Sequence, residues 1–361
     1  LLSSLLAADD GVESVEPTRM LLRIARALRW TPPAVATLRR GTPLEALAAL
    51  RASHPALAAQ IDEYLERYGD RCMGELKLET ISLRQDASFV IQVLRNYVER
   101  GDLDPDALAR HERARRQVAQ AEVATQLGAW GRRQFHRALA RARQGIRARE
   151  AMRLARTRAF GLHRDLYLAV GQRLHEAGRL DAARDVFYLT VQEIGAYHDG
   201  TAVSADLGAI ARARRAEYAR YGADDLPNRF ETVGPVHANA IAAPRTSDAE
   251  RAAALLRGLG CSPGVVEAAL QVIASPDDDL ALDGKILTAL RTDPGWAPLF
   301  PSARAVLVER GSTLSHSAVL ARELGIPAVV GVPNLLRIVR SGERVRLDGA
   351  AGTVERLERA C

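Results

Sequence analysis

The sequence predicts a multidomain chain: a mainly α-helical N-terminal domain followed by a C-terminal α/β domain. Three observations carry this. Up to about residue 220 the apolar residues recur at helical spacing. Around Tyr221 the texture turns to Gly-, Pro- and Asp-rich sequence with little periodicity. Beyond about residue 255, short apolar or alternating runs are separated by glycine and proline. The resulting division is 1–221 for the helical domain, 222–255 for a linker and 256–361 for the α/β domain.

Taken in order, Glu16-Pro17-Thr18 opens the first helix, whose apolar face is Met20, Leu21, Leu22, Ile24 and Leu28. A second helix is expected over 43–67, with Thr42 as its cap. Between 68 and 86 the helical period breaks, and Leu76, Leu78 and Ile81 read as an extended connector. Helix resumes over 87–100. Residues 104–158 hold few breakers and read as one or two long helices, paired if the chain turns near Gly128. Shorter helices are expected over 163–177, 185–195 and 203–220. In the C-terminal part, strands are expected over 265–273, 285–289, 305–308, 328–332, 344–347 and 353–357, and a helix over 315–324.

Composition narrows the function classes. Hydrophobic residues make up 47% and charged residues 26%, the balance of an ordinary globular protein. No apolar run reaches the roughly 18 residues that span a bilayer, and no leader pattern opens the chain, so a cytoplasmic location without membrane contact is the default. The formal charge of +6 is carried by arginine, with Lys77 and Lys285 as the lysines. Arginine-favouring codon usage explains this excess as well as an acidic partner does. No aromatic stacking platform accompanies the charge, so nucleic acid ranks last among partners. Cys72, Cys261 and Cys361 lie far apart without a CxxC pair, which gives neither a zinc nor a disulfide framework.

The stretch from Glu309 to Pro327 carries the chemistry. A strand gives way to a turn at Gly311-Ser312-Thr313, and a helix starts beside Ser315 and His316. Ser315 is a suitable N-cap. His316 would then face the free N–H groups of the first helical turn, where a dianion is favoured. Its neutral imidazole is a nucleophile at physiological pH. Gly311 permits close backbone approach to a phosphate. Arg322, two turns further along, adds positive charge if it points inward. Read from the residues alone, a histidine that merely opens the helix is the competing description.

The run 311–327 resembles the active-histidine signature of the PEP-utilising enzyme mobile domain: a glycine turn, Ser-His, an apolar stretch, Ala-Arg-Glu and Gly-Ile-Pro. Gly260-Cys261-Ser262-Pro263-Gly264, Thr292-Asp293-Pro294-Gly295-Trp296, and Val345–Gly349 with Gly352–Val354 resemble the opening turn, middle loop and closing hairpin of that domain. Ala268 follows Glu267 where glycine is frequent in the family, and Ser312 replaces a second glycine. Upstream, Arg71–Glu79, Arg153–Arg158 and Asp185–Thr190 resemble motifs in the helical domain of phosphoenolpyruvate synthase-like and rifampicin phosphotransferase-like proteins. A helical domain followed by a terminal histidine domain is the rifampicin phosphotransferase layout.

The resemblance implies a swivelling phosphohistidine domain in which His316 takes a phosphoryl group from ATP. It also implies that ATP and Mg2+ are held by an ATP-grasp domain or subunit outside these residues, none being bound by this chain itself. The phosphoryl group then passes to a small-molecule acceptor on the helical domain. Ser315, Gly311, Ser312, Thr313 and Arg322 frame the carrier. Arg149, Arg153 and Arg156 share one helical face and form either the acceptor's anion-receiving wall or a solvated basic face. Glu75 and Glu79 either orient those arginines or act in proton transfer. Asp293 is expected to hold the turn beside His316. His163, His175 and His198 lack metal-like spacing and read as structural. Two alternatives stand beside this reading. One is a fragment of phosphoenolpyruvate synthase acting on pyruvate; the other is a non-enzymatic helical scaffold with a degenerate swivel domain.

Overall fold

Proline sets the starts of the N-terminal helices. In the computed structural model, which describes residues 5, 16–100, 105–221, 231–235, 254–276 and 278–357, helix α1 spans Glu16–Arg29. It is followed by α2 (Pro32–Arg39), α3 (Pro43–Ser53) and α4 (Pro55–Tyr68), each with proline in its first turn, where the missing N–H is lost anyway. Thr42 and Glu45 cap α3 reciprocally, the Thr42 hydroxyl accepting from the Glu45 N–H and the Glu45 carboxylate from the Thr42 N–H. The single helix expected over 43–67 is therefore two. Pro55 cannot supply the N–H that would carry the helix through His54. Helix α2 was not legible as an element of its own.

Residues 69–87 form turns rather than an extended connector. Helix α5 follows over Ser88–Glu99, then α6 over Pro105–Thr125 and α7 over Ala129–Glu176. Helices α6 and α7 turn back at Gly128 and pack through Ala119, Val123, Phe135 and Leu139. The helix expected over 163–177 is the last part of α7. The helix expected over 185–195 divides into a 3-10 turn (Ala183–Tyr188) and α8 (Val191–His198), which starts at a Thr190–Glu193 capping box. Helix α9 covers Leu207–Tyr221. Most of the proposed linker over 222–255 lies outside the described residues.

The C-terminal part is a mixed sheet with strand order β1-β8-β7-β3-β4-β5-β6-β2. Its strands are β1 (Leu255–Arg257), β2 (Leu259–Ser262), β3 (Val265–Val272), β4 (Ile286–Ala289), β5 (Ala305–Val308), β6 (Ala328–Val330), β7 (Arg344–Asp348) and β8 (Thr353–Arg356). Strands β3 to β6 pair in parallel, and the flanking pairs are antiparallel. The short helices α10 (His316–Leu324) and α11 (Leu335–Ile338) connect them. The six expected strands are present. Strands β1 and β2 were missed, having fallen in and beside the expected linker.

Two compact units account for the chain. The first comprises 1–76, 80–159 and 252–361; the second comprises 77–79 and 160–251. In the first unit the central parallel strands are buried on both faces, so alternate residues enter different cores. Ile286, Ala305, Leu307 and Val329 pack toward β7, β8 and α11. Leu287, Val306, Val308 and Val330 pack on the opposite side, with Ala318, Leu320 and Ala321 of α10. That second core continues without a break into Leu21, Leu22 and Ile24 of α1 and Val90, Leu94 and Tyr97 of α5. A 3-10 helix, Pro294–Ser302, sits where the two parts meet. All but its first residue are buried, and it touches both α1 and α5. The Tyr97 hydroxyl donates to the Pro298 carbonyl. Arg100 donates to the carbonyls of Pro301 (2.8 Å) and Ala303 (3.0 Å).

The second unit has a small core of Leu180, Val186, Leu207 and Ala211. Its Arg164 is fully buried and donates to the carbonyls of Lys77 and Leu78 at 3.0 and 3.1 Å. Arg214 forks onto Glu193 with two contacts of 2.7 Å, which with Thr190 holds that carboxyl down to about 2.

Candidate functional site

Strand β5 ends at Val308, and the chain turns through Gly311–Leu314 before α10. The turn closes by a hydrogen bond from the Ser315 N–H to the Ser312 carbonyl (2.9 Å). Ser315 is the N-cap of α10, its hydroxyl accepting from the Ala318 N–H at 3.4 Å. At the other end Gly325, at φ +67°, supplies the left-handed residue that stops the helix, and the Ile326 N–H reaches the Ala321 carbonyl (2.8 Å). Helix α10 thus keeps the boundaries expected for it to within one residue.

His316 is the first residue of α10, at the end where backbone N–H groups have no preceding carbonyl to bond. Its side chain is 8% exposed, and its Nε2 meets no hydrogen-bonding group among the described residues. Burial depresses its pKa to about 3, and the positive charges of Arg153, Arg71 and Arg149 push it the same way. The ring is therefore neutral throughout the physiological range, in the electrostatic neighbourhood of three guanidinium groups.

Arg71 joins the parts of this cluster. It is 4% exposed, donates to the Pro294 carbonyl at 3.3 Å and acts electrostatically on His316, Glu75 and Asp293. Glu75 is 2% exposed. The neighbouring Thr157 hydroxyl donates to the Arg153 carbonyl (3.1 Å), and neither Glu75 oxygen accepts a hydrogen bond. Burial raises its pKa, against the pull of Arg71, Thr157 and Arg156. Asp293, also raised by burial, accepts from the Gly74 N–H (2.7 Å) and the Gly295 N–H (3.0 Å). Arg153 is paired with buried Glu150 at 3.2 Å. Arg149 and Arg156 are exposed.

Of the residues singled out from the sequence, His316, Glu75, Arg149, Arg153 and Arg156 are brought into one electrostatic neighbourhood. Arg322 has a different place: it donates to the Thr313 carbonyl at 2.7 Å, tying the turn to the helix that follows. Gly311, Ser312 and Thr313 are exposed, and a Cβ on Gly311 would meet Val330 and the Ser315 hydroxyl at 3.1 and 3.2 Å. Glu79 belongs to the second unit, where it accepts from the Tyr218 hydroxyl. His175 bonds the Leu180 carbonyl locally (3.0 Å). Arg71 and Glu150 were missed as site residues. Arg71 lay inside a quoted motif, and Glu150 stood on the arginine face at i−3 from Arg153.

Comparison with known proteins bears on this geometry. The family model for the PEP-utilising enzyme mobile domain matches residues 280–352, which include His316. A second model, the fourth domain of rifampicin phosphotransferase, matches residues 1–150. The two matches place a sequence like the fourth domain of rifampicin phosphotransferase ahead of a PEP-utilising enzyme mobile domain in one chain. Among curated relatives, a rifampicin phosphotransferase from Streptomyces sp. is 31% identical over 98% of this chain and 41% of its own length. That of Streptomyces sviceus is 31% identical over 82% and 34%. The prodigiosin synthesizing transferase PigC of Serratia marcescens is 29% identical over 98% and 40%. The chain thus spans about two fifths or less of the length of these relatives. No helix of the described residues is long and apolar enough to cross a membrane.

In the folded chain, the buried neutral histidine makes stability depend on acid. Its folded pKa lies below the ordinary 6.5, so its contribution is complete above that value. As the pH falls from about 6.5 toward about 3, the unfolded chain takes a proton that the folded chain refuses, and the contribution is lost. Glu75 and Asp293, raised by burial, act in the opposite sense. The expected result is that wild type loses more urea stability than His316→Gln between about pH 7 and about pH 5. Equal losses would count against the buried neutral ring.

Proposed function

We propose that this chain is the carrier and acceptor part of a phosphotransferase of the rifampicin phosphotransferase kind, with His316 as the phosphoryl-accepting nucleophile. The observation that carries the reading is a neutral imidazole at a helix N-terminus, its Nε2 buried without a hydrogen-bonding partner and its charged form opposed by Arg153, Arg71 and Arg149. Phosphoryl transfer rests on positioning and on neutralising charge on the moving group, and this arrangement supplies both.

In the first stage Nε2 forms an N–P bond while the bond from phosphorus to the donor oxygen breaks, and that oxygen leaves with the electron pair. The donor is ATP, held with Mg2+ by an ATP-grasp domain or subunit. In the second stage an acceptor oxygen attacks phosphorus, the N–P bond breaks and its electrons return to the ring. Arg71, Arg149 and Arg153 stabilise the phosphoryl oxygens as charge shifts. Glu75, buried and with its pKa raised, takes the acceptor's proton. Ser315 and Arg322 hold the turn of Gly311, Ser312 and Thr313 against α10, and residues 1–221 bind a small-molecule acceptor.

The test is direct. The chain is incubated with ATP, Mg2+ and a matched ATP-grasp module, or with phosphoramidate as a small donor. Acid-labile, base-stable phosphate on His316 is expected, located by mass spectrometry at neutral pH. Phosphate confined to other residues would overturn the assignment.

A further inference from the structure

Two loops from distant parts of the sequence are fastened together beside His316. One is Arg71–Glu75, after α4; the other is Thr292–Gly295, after β4. Arg71 donates to the Pro294 carbonyl. The Asp293 carboxylate takes the Gly74 N–H with one oxygen and the Gly295 N–H with the other. Gly295 lies against the backbone of the first loop, where a Cβ would stand 2.0 Å from the Cys72 carbonyl oxygen and 2.9 Å from the Met73 nitrogen. Only a residue without a side chain permits that approach. On its far side the second loop bonds α10 directly, Thr292 Oγ1 lying 2.7 Å from Ser317 Oγ, one residue from His316.

We infer that Asp293 and Gly295 are positioning residues for phosphoryl transfer: they lock the Thr292–Gly295 loop onto the Arg71–Glu75 loop and so set the register between the His316 ring and Arg71. The first loop carries the guanidinium of Arg71 and the carboxylate of Glu75, and the second holds the start of α10 through Thr292 and Ser317. A slip between the loops therefore changes the distance from imidazole to guanidinium directly. A displacement of about 1 Å in such a constellation is enough to slow a reaction by about a hundredfold. The charged groups around the clamp are Arg71, Arg149 and Arg153 toward His316, and Arg71, Arg291 and Glu75 toward Asp293.

This inference rests on the reading of His316 as the carrier, but its first test does not. The whole chain is labelled with 15N-histidine and the His316 ring is titrated by NMR, with His316→Gln identifying the signal. Wild type is expected to keep a neutral ring well below pH 6.5. In Gly295→Ala, Asp293→Asn and Thr292→Val the apparent pKa should rise by about one unit or more as the ring leaves its buried seat. Circular dichroism reports whether each variant keeps its secondary structure. Should Gly295→Ala fail to fold, the two milder variants decide. An unchanged His316 titration in folded Asp293→Asn and Thr292→Val overturns the clamp. The second readout is transfer: in the same variants, single-turnover labelling of His316 by phosphoramidate should slow by about tenfold or more as the ring and Arg71 lose their register. Unaltered labelling with a changed titration would also overturn the role in positioning. Absence of any label in wild type would instead defeat the carrier reading and leave the titration result standing.

Discussion

Replacing His316 with glutamine is expected to remove acid-labile phosphate from the chain, a fall of at least about a thousandfold against wild type. Glutamine approximates the imidazole in size and polarity, and its amide remains hydrogen-bond competent at the start of α10. What it lacks is a nucleophilic lone pair, since the amide nitrogen's electrons are delocalised into the carbonyl. His316 is neutral in the folded chain, so the exchange removes no buried charge. Thermal stability near neutral pH should therefore change little, and a loss of label can be ascribed to lost chemistry. Intact mass spectra recorded under neutral conditions, with and without a brief acid treatment, measure the label. Equal acid-labile phosphate in His316→Gln and wild type would sink the assignment.

Phe300→Ala is expected to destabilise the first compact unit by about 3–5 kcal/mol. Phe300 is fully buried on the 3-10 helix between the sheet and helices α1 and α5. Removing its ring leaves a cavity lined by both parts, and neither can close it alone. Because the core is continuous, the loss should reach the N-terminal helices as well as the strands. Urea unfolding followed by far-ultraviolet circular dichroism, which is dominated by helix, should shift together with hydrogen exchange of the β5 amides. A variant in which β5 becomes labile while α1 and α5 keep their full protection would show that the parts unfold separately.

The strands of the α/β part were legible because each is a short apolar run bounded by turn residues, and the Ser315 cap with Gly325 marked both ends of α10. The segment Pro294–Ser302 was not. Its prolines at 294, 298 and 301 break every periodicity on which an element can be read, and part of its burial comes from a helix about two hundred positions away. For the site, His316 stood out through its surroundings in sequence. Arg71 did not, because in a chain with so many arginines nothing local distinguishes a guanidinium that will be buried. Its importance lies in three long-range neighbours, Pro294, Asp293 and His316. Glu75 was legible as a candidate. That its carboxylate is buried beside Arg71, Thr157 and Arg156 follows from contacts between segments about eighty residues apart, which no local pattern announces.

The seamless packing of the 3-10 segment has a bearing on how far a phosphate could be ferried. Withdrawing Trp296, Leu299 and Phe300 into water would cost roughly 5–9 kcal/mol, comparable to the entire net stability of many domains. Either another greasy berth receives these three side chains at the journey's end, or residues 16–100 ride along as passengers whenever the sheet travels. In the second case the pivot lies outside the seam, and the cargo vessel is about twice as large as the strands alone.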